Sequence, residues 1–182
     1  GQAGNQQTIN QASQNVAIDW ASFNIGKDGK VVFNQPNAQA VALNRVVGSD
    51  PTQIFGALEA NGRIFLVNPN GILFAKGSQV STAGLLASTR DISVADFMAG
   101  KYKLTGQGKG KVVNEGAINA DGGFVTLVGA QVVNDGTIQA QGGAIDLVAA
   151  NEVTLRLDGA GLTALTIDKG AYDALVANNN IL

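Results

Sequence analysis

The sequence contains no cysteine and no histidine. That removes cysteine nucleophiles, serine-histidine-aspartate triads, structural zinc and histidine metal sites together. Only carboxylate, Lys, Arg, Tyr, Ser and Thr chemistry remains, and no cofactor is expected. A chain without cysteine suits the cytosol, and equally suits passage through a periplasm in unfolded form, where early disulfides would block transport. Aromatic residues are 5 % and charged residues 14 %, values that fit neither a helix-rich nor a disordered chain. The net charge of −2 and the pI near 4.9 give no basic patch for nucleic acid or anionic lipid. No apolar run is long enough for a membrane-spanning helix. The opening residues, GQAGNQQTINQAS, contain no apolar signal core. For an exported protein, the expectation is that a signal peptide has been removed before this point.

What the chain has in quantity is glycine, 24 of 182 residues, and a tandem repeat. VVNEGAINADGGFVTLVGAQ, from Val112, is followed at once by VVNDGTIQAQGGAIDLVAAN, and an offset of 20 gives 11 identities in 20 positions. Such a period means stacked supersecondary units, either leucine-rich repeats or a β-solenoid. Each unit holds one Leu, several glycines and many Val or Ile, which selects the all-β solenoid. Within a unit, Ile118 and Ala120, the pair Gly122-Gly123, then Val125 and Leu127 read as two short strands joined at a glycine corner. Ile138, Gly142-Gly143, Ile145 and Leu147 repeat them, with Thr126 and Asp146 as the outward polar positions. Stacking at about 4.8 Å would set Asn114 over Asn134 as an amide ladder, and Val176-Ala177-Asn178 aligns with the same place. In that alignment Asn180 stands where the repeat has Gly116, as the next best residue for a positive φ.

A single domain over residues 1–182 is expected, with residues 1 to about 40 as an N-terminal cap and about 41–182 as coils, ending inside a coil. That ending reads as the N-terminal fragment of a longer protein. Val16, Ile18 and Trp20, then the Lys27-Asp28-Gly29-Lys30 turn and Val31-Val32-Phe33, predict a hairpin-rich opening. Asp50-Pro51-Thr52-Gln53 predicts a short helix. Ser93 to Gly100 predicts one helical turn, and Asp168 to Ala177 another. Lys101 to Lys111 reads as a solvated loop or edge strand, because its glycines lack the spacing of a phosphate-binding loop.

Asn68-Pro69-Asn70-Gly71 is a strong turn former between two apolar strands. With its surroundings, ALNRVVGSDPTQIFGALEANGRIFLVNPNGILFAKGSQVSTAGLLAST, it closely resembles the secretion domain of two-partner secretion exoproteins, the filamentous haemagglutinin family with its haemagglutination-activity domain. The resemblance runs from about Ile18 to the end. Its most specific token is Asn68-Pro69-Asn70-Gly71-Ile72, supported by Leu43-Asn44-Arg45-Val46. The family's upstream NPNL signature is absent, and Gln35-Pro36-Asn37 stands in that region, which points to the adhesin and haem-acquisition subgroup. The resemblance implies a right-handed parallel β-helix with short extra-helical hairpins or helical turns, no enzymatic activity and a monomeric chain. It implies recognition in the periplasm by the POTRA domains of an outer-membrane β-barrel transporter. Secretion to the surface of a Gram-negative bacterium would follow, with host ligands left to downstream regions. The alternative is a polysaccharide-binding or polysaccharide-cleaving β-helix with Glu115 and Asp135, on adjacent coils, as a carboxylate pair.

Overall fold

The computed structural model describes residues 2–180, and it winds them into a parallel β-solenoid of about six coils. A short lead strand, β1 (Gln2–Ala3), pairs antiparallel with β2 (Gln6–Asn10). The first coil is β2 and β3 (Asn15–Trp20); the second is β4 (Lys30–Asn34), β5 (Val41–Val46) and β6 (Thr52–Ile54). The third is β7 (Ala57–Ala60), β8 (Arg63–Val67) and β9 (Ile72–Phe74). In the fourth, β10 (Gln79–Ser81) and β11 (Gly84–Ser88) lead into an excursion, α1 (Val94–Met98) and β12 (Tyr102–Thr105), before β13 (Lys111–Asn114). The fifth is β14 (Ala117–Asn119), β15 (Phe124–Gly129) and β16 (Gln131–Asn134). The sixth holds β17 (Thr137–Gln139), a long β18 (Ala144–Asp158) that turns back as β19 (Gly161–Gly170), and β20 (Leu175–Asn178).

Equivalent strands form three walls. The first runs β2-β4-β7-β10-β14-β17, the second β3-β5-β8-β11-β15-β18 and the third β6-β9-β13-β16-β20, with parallel pairing throughout. The tandem repeat is the coil-to-coil register: Val112 faces Val132, Ile118 faces Ile138 and Leu127 faces Leu147. At each glycine corner the two glycines serve different needs. Gly122 and Gly142 each hold φ at 76°, while a Cβ on Gly123 would overlap the carbonyl of Ala83, and one on Gly143 the carbonyl of Gly123. Inside the coils Ile54, Leu58, Ile64, Leu66, Phe74, Leu85, Val125 and Leu127 stack in one fully buried core. Ile118 and Ile138 belong to it, whereas Ile145 and Leu147, on the sixth coil, are partly exposed.

From the third coil to the fifth, the second wall is buried on both faces. Its outer side carries Leu43, Phe65, Leu86, Phe124 and Val128, covered by Phe97 of α1, Leu104 of β12 and Val153 and Leu155 of β18. This accounts for strands such as Arg63–Val67 that show no alternation, because no residue in them faces water. Thr126 lies on that covered face and is fully buried, where the alternation predicted a solvated residue.

Several expectations are corrected. β3 and β4, on either side of the Lys27–Lys30 turn, do not form a hairpin: β3 pairs parallel with β5, and β4 pairs parallel with β2 and β7. The turn itself forms, with Gly29 N–H donating to Gly26 at 2.8 Å. Thr52–Ile54 is strand rather than helix, because Thr52 and Ile54 pair with Ile72 and Phe74. Asp168 to Ala177 holds no helical turn; β19 and β20 supply ladder partners there. Gly116 is not at positive φ, and Asp173 is the only described non-glycine residue that is. Gly116 is needed for space, since a Cβ would overlap Ser78 Oγ, so Asn180 cannot be its conformational substitute. Ser93–Gly100 does form a helical turn, with Ser93 capping Asp96 N–H at 3.1 Å.

Candidate functional site

Between β8 and β9 the chain must leave the second wall and enter the third, and Asn68 to Gly71 make the corner. Gly71 N–H donates to the Asn68 carbonyl at 3.1 Å, closing a β-turn, and Gly71 holds φ at 126°. The Asn68 side chain is fully buried. Its Nδ2 donates to the Asp50 carbonyl and to Thr52 Oγ1, each at 3.0 Å, and its Oδ1 accepts the Asn70 backbone N–H at 3.0 Å. Asn70 Nδ2 reaches the Gly48 carbonyl at 2.9 Å. Both polar atoms of the Asn68 side chain are thus engaged by the turn itself or by the corner one coil earlier, and its backbone N–H donates to the Ser88 carbonyl of the next coil at 2.9 Å. Ile72 is buried as the first residue of β9, while Pro69 and Asn70 face solvent. They border an open groove of about 790 Å³ that Pro51, Leu73, Lys109 and Val113 also line.

Leu43, Asn44, Arg45 and Val46 lie in β5. Leu43 points to the covered outer face and Val46 into the coil core. Buried Asn44 accepts from Trp20 Nε1 at 2.9 Å, which gives the only tryptophan, on the first coil, a partner on the second. Arg45 makes two bonds to Asp91, Nε to Oδ1 at 3.1 Å and Nη2 to Oδ2 at 3.0 Å, and a third to Asp19 Oδ1 at 3.0 Å. The Asp91 bond is the first cause of its raised pKa, with burial opposing and Asp19 adding a smaller share. Asp91 opens the excursion that carries α1, so Arg45 clamps that excursion to the second coil.

In the third wall, Asn114 Nδ2 donates to Asn134 Oδ1 at 2.9 Å, and Asn134 Nδ2 to Asn178 Oδ1 at 3.0 Å. This ladder caps the corner after β13, β16 and β20. Glutamines build a second ladder that the sequence did not announce: Gln35 Nε2 donates to Gln11 Oε1 at 3.0 Å in the first corner of the first two coils. Both are buried, and nothing in the residues beside either glutamine marks it as such. Buried Arg90 was missed for the same reason.

Glu115 and Asp135 are exposed turn residues, and Asp135 is bonded by Asn179 Nδ2. No sugar-stacking aromatic stands beside them in the turn sequences, Asn-Glu-Gly and Asn-Asp-Gly. Lys101 to Lys111 forms the edge strand β12 and an open loop. Among the described residues no group of three acidic, histidine or cysteine side chains could hold a metal ion.

The TPS secretion domain family matches residues 1–181. Two forms of the heme/hemopexin-binding protein of Haemophilus influenzae are 44 % identical over 110 residues and 43 % identical over 118 residues. Those matches take in 60 % and 63 % of this chain but only 12 % and 13 % of the relatives' lengths. The crystal structure of the HMW1 secretion domain from Haemophilus influenzae superposes with a TM-score of 0.84 at 33 % identity, covering 97 % of this chain and 48 % of that one. The polysaccharide-enzyme alternative falls with this match, and the chain belongs to the TPS secretion domain family, a non-enzymatic targeting module of secreted exoproteins.

Proposed function

We propose that this chain is the N-terminal secretion module of a large adhesin-like or haem-acquisition exoprotein. In this reading the POTRA domains of a dedicated outer-membrane β-barrel transporter bind it in the periplasm. Its coils then nucleate β-helix folding of the passenger at the cell surface, and host ligands are met by other parts of the exoprotein. The observation that supports the reading is the division of labour within the turn: Asn68, Gly71 and Ile72 are buried or held, while Pro69 and Asn70 project beside a groove. A turn fixed in this way loses little ordering entropy when a partner docks. The same five residues in an unfolded chain can instead add a strand to a POTRA edge. Burial of Asn68 weights the reading toward fold formation. Asn68→Ala is expected to lower the denaturation midpoint and secretion together, while Pro69→Ala weakens binding to isolated POTRA domains with little change in midpoint. Binding is measured with native and urea-unfolded chain. Secretion that survives replacement of all of Asn68 to Ile72 would overturn both accounts.

A further inference from the structure

A cavity of about 520 Å³ lies between the loop at 106–110 and the turn at 171–173, lined by Arg90, Lys109, Lys111, Gln131, Tyr172 and Asp173 among others. Arg90 is only 1 % exposed and is the largest fully buried side chain of the described residues. Its Nε donates to the Ala150 carbonyl at 2.7 Å, one terminal nitrogen to the Gly108 carbonyl at 2.8 Å and the other to Asn151 Oδ1 at 3.1 Å. All three acceptors are neutral, and none of the ion pairs among the described residues includes Arg90. Arg45, by contrast, has two carboxylates. Burial without a counter-charge lowers the Arg90 pKa, the mark of a cation held at a cost. A guanidinium has five N–H donors, so donors remain beyond these three bonds.

The rim adds to the imbalance. Lys109 and Lys111 are exposed there, and Asp173 is the only carboxylate in the lining, so three cations face one anion. Asp173 holds φ at 57°, and the turn it makes presents Tyr172, 92 % exposed, at the mouth. A backbone in that region persists where its surroundings require it.

We propose that this cavity binds a small dianion, a dicarboxylate or a phosphate monoester, with Arg90 as the fixed donor at the floor, Lys109 and Lys111 supplying charge and Tyr172 bordering the ligand. Arg90 is already oriented by protein acceptors, so little ordering is lost when the anion arrives. The lining's excess of two positive charges matches the two charges of the ligand. The site does not rest on the transporter reading, because no transporter is needed to fill it.

The test is an amide NMR titration of the 182-residue chain with succinate and, separately, with inorganic phosphate, at constant ionic strength with chloride as the monovalent reference. Saturable shifts are expected at Gly108, Lys109, Gln131, Asn151 and Tyr172, and the dianion that gives them distinguishes the two ligand sources. Replacing both lysines, Lys109→Ala with Lys111→Ala, is expected to weaken binding about tenfold or more. Asp173→Asn removes the opposing charge but keeps a residue tolerant of positive φ, and is expected to tighten binding. Absence of saturable shifts with either dianion overturns the proposal. So does binding that both the lysine pair and Asp173→Asn leave unchanged, since neither variant touches the Arg90 floor on which folding depends.

Discussion

Thr126 carries a hydroxyl into the covered side of the second wall, beside Leu86 of one neighbouring coil and Asp146 of the other. Its Oγ1 is buried without a hydrogen-bond partner, and a hydroxyl left in that state costs about 1–3 kcal/mol. Valine has nearly the same shape and no polar atom. Thr126→Val is therefore expected to stabilise the domain by about 1 kcal/mol, read as a higher urea midpoint at unchanged slope. A lower midpoint would mean that the hydroxyl is bonded after all. Next in the column, burial pushes the Asp146 carboxyl above its ordinary value of 3.8. The folded state then holds the proton more tightly than the unfolded one. Stability rises as pH falls through the raised pKa, and the gain is complete below the ordinary one. Asp146→Asn should thus stabilise at neutral pH and lose that advantage in acid, which thermal melts across the range can follow.

At the scale of the element, the amide ladder makes each third-wall corner depend on its neighbours. Asn134→Ala removes the acceptor of Asn114 and the donor to Asn178 at one stroke. A loss of about 1–3 kcal/mol is expected from the groups left unpaired, larger than for Asn178→Ala, which removes only one link. Leu127→Ala, in the coil core, is expected to cost about 2–5 kcal/mol, and an unmoved midpoint would refute the coil register. That register could be read from the repeat because one period equals one coil, so sequence offset and ladder partner coincide at Val112 and Val132. The turn at Asn68–Gly71 was legible because the bonds that close it, from Gly71 N–H to the Asn68 carbonyl and from Asn70 N–H to Asn68 Oδ1, are local, whereas its bonds to Gly48, Asp50 and Thr52 are not. The strand at Thr52–Ile54 was not: Asp50 and Pro51 are good helix starters, but Thr52 finds its partner Ile72 twenty residues away, and ladder formation outweighs one local turn. Arg45 with Asp91, and Arg90 with Ala150, are separated by 46 and 60 residues and carry no periodic signal. The covered outer face was visible only as missing alternation.

At the scale of the molecule, coils that touch only their neighbours would be expected to fray from the ends one at a time. The excursions change this. The tip between β18 and β19, which leaves from the sixth coil, receives Arg63 Nη2 on the Asp158 carbonyl at 2.7 Å and Gln39 Nε2 on the Gly159 carbonyl at 3.4 Å, contacts with the third and second coils. β12 pairs with β18 beneath it, and Arg45 holds the other end of the excursion through Asp91. Hydrogen exchange is therefore expected to show the second wall of coils two to six opening as one unit, with Arg63→Ala splitting it into smaller ones. The same strap bears on tension along the long axis. A bare stack would yield like a zip, coil after coil at low and even load. A stack tied lengthwise by a strap shares the load among coils until the strap gives way, so extension in an optical trap should record one abrupt rip at higher force, and Arg63→Ala should turn it into a staircase.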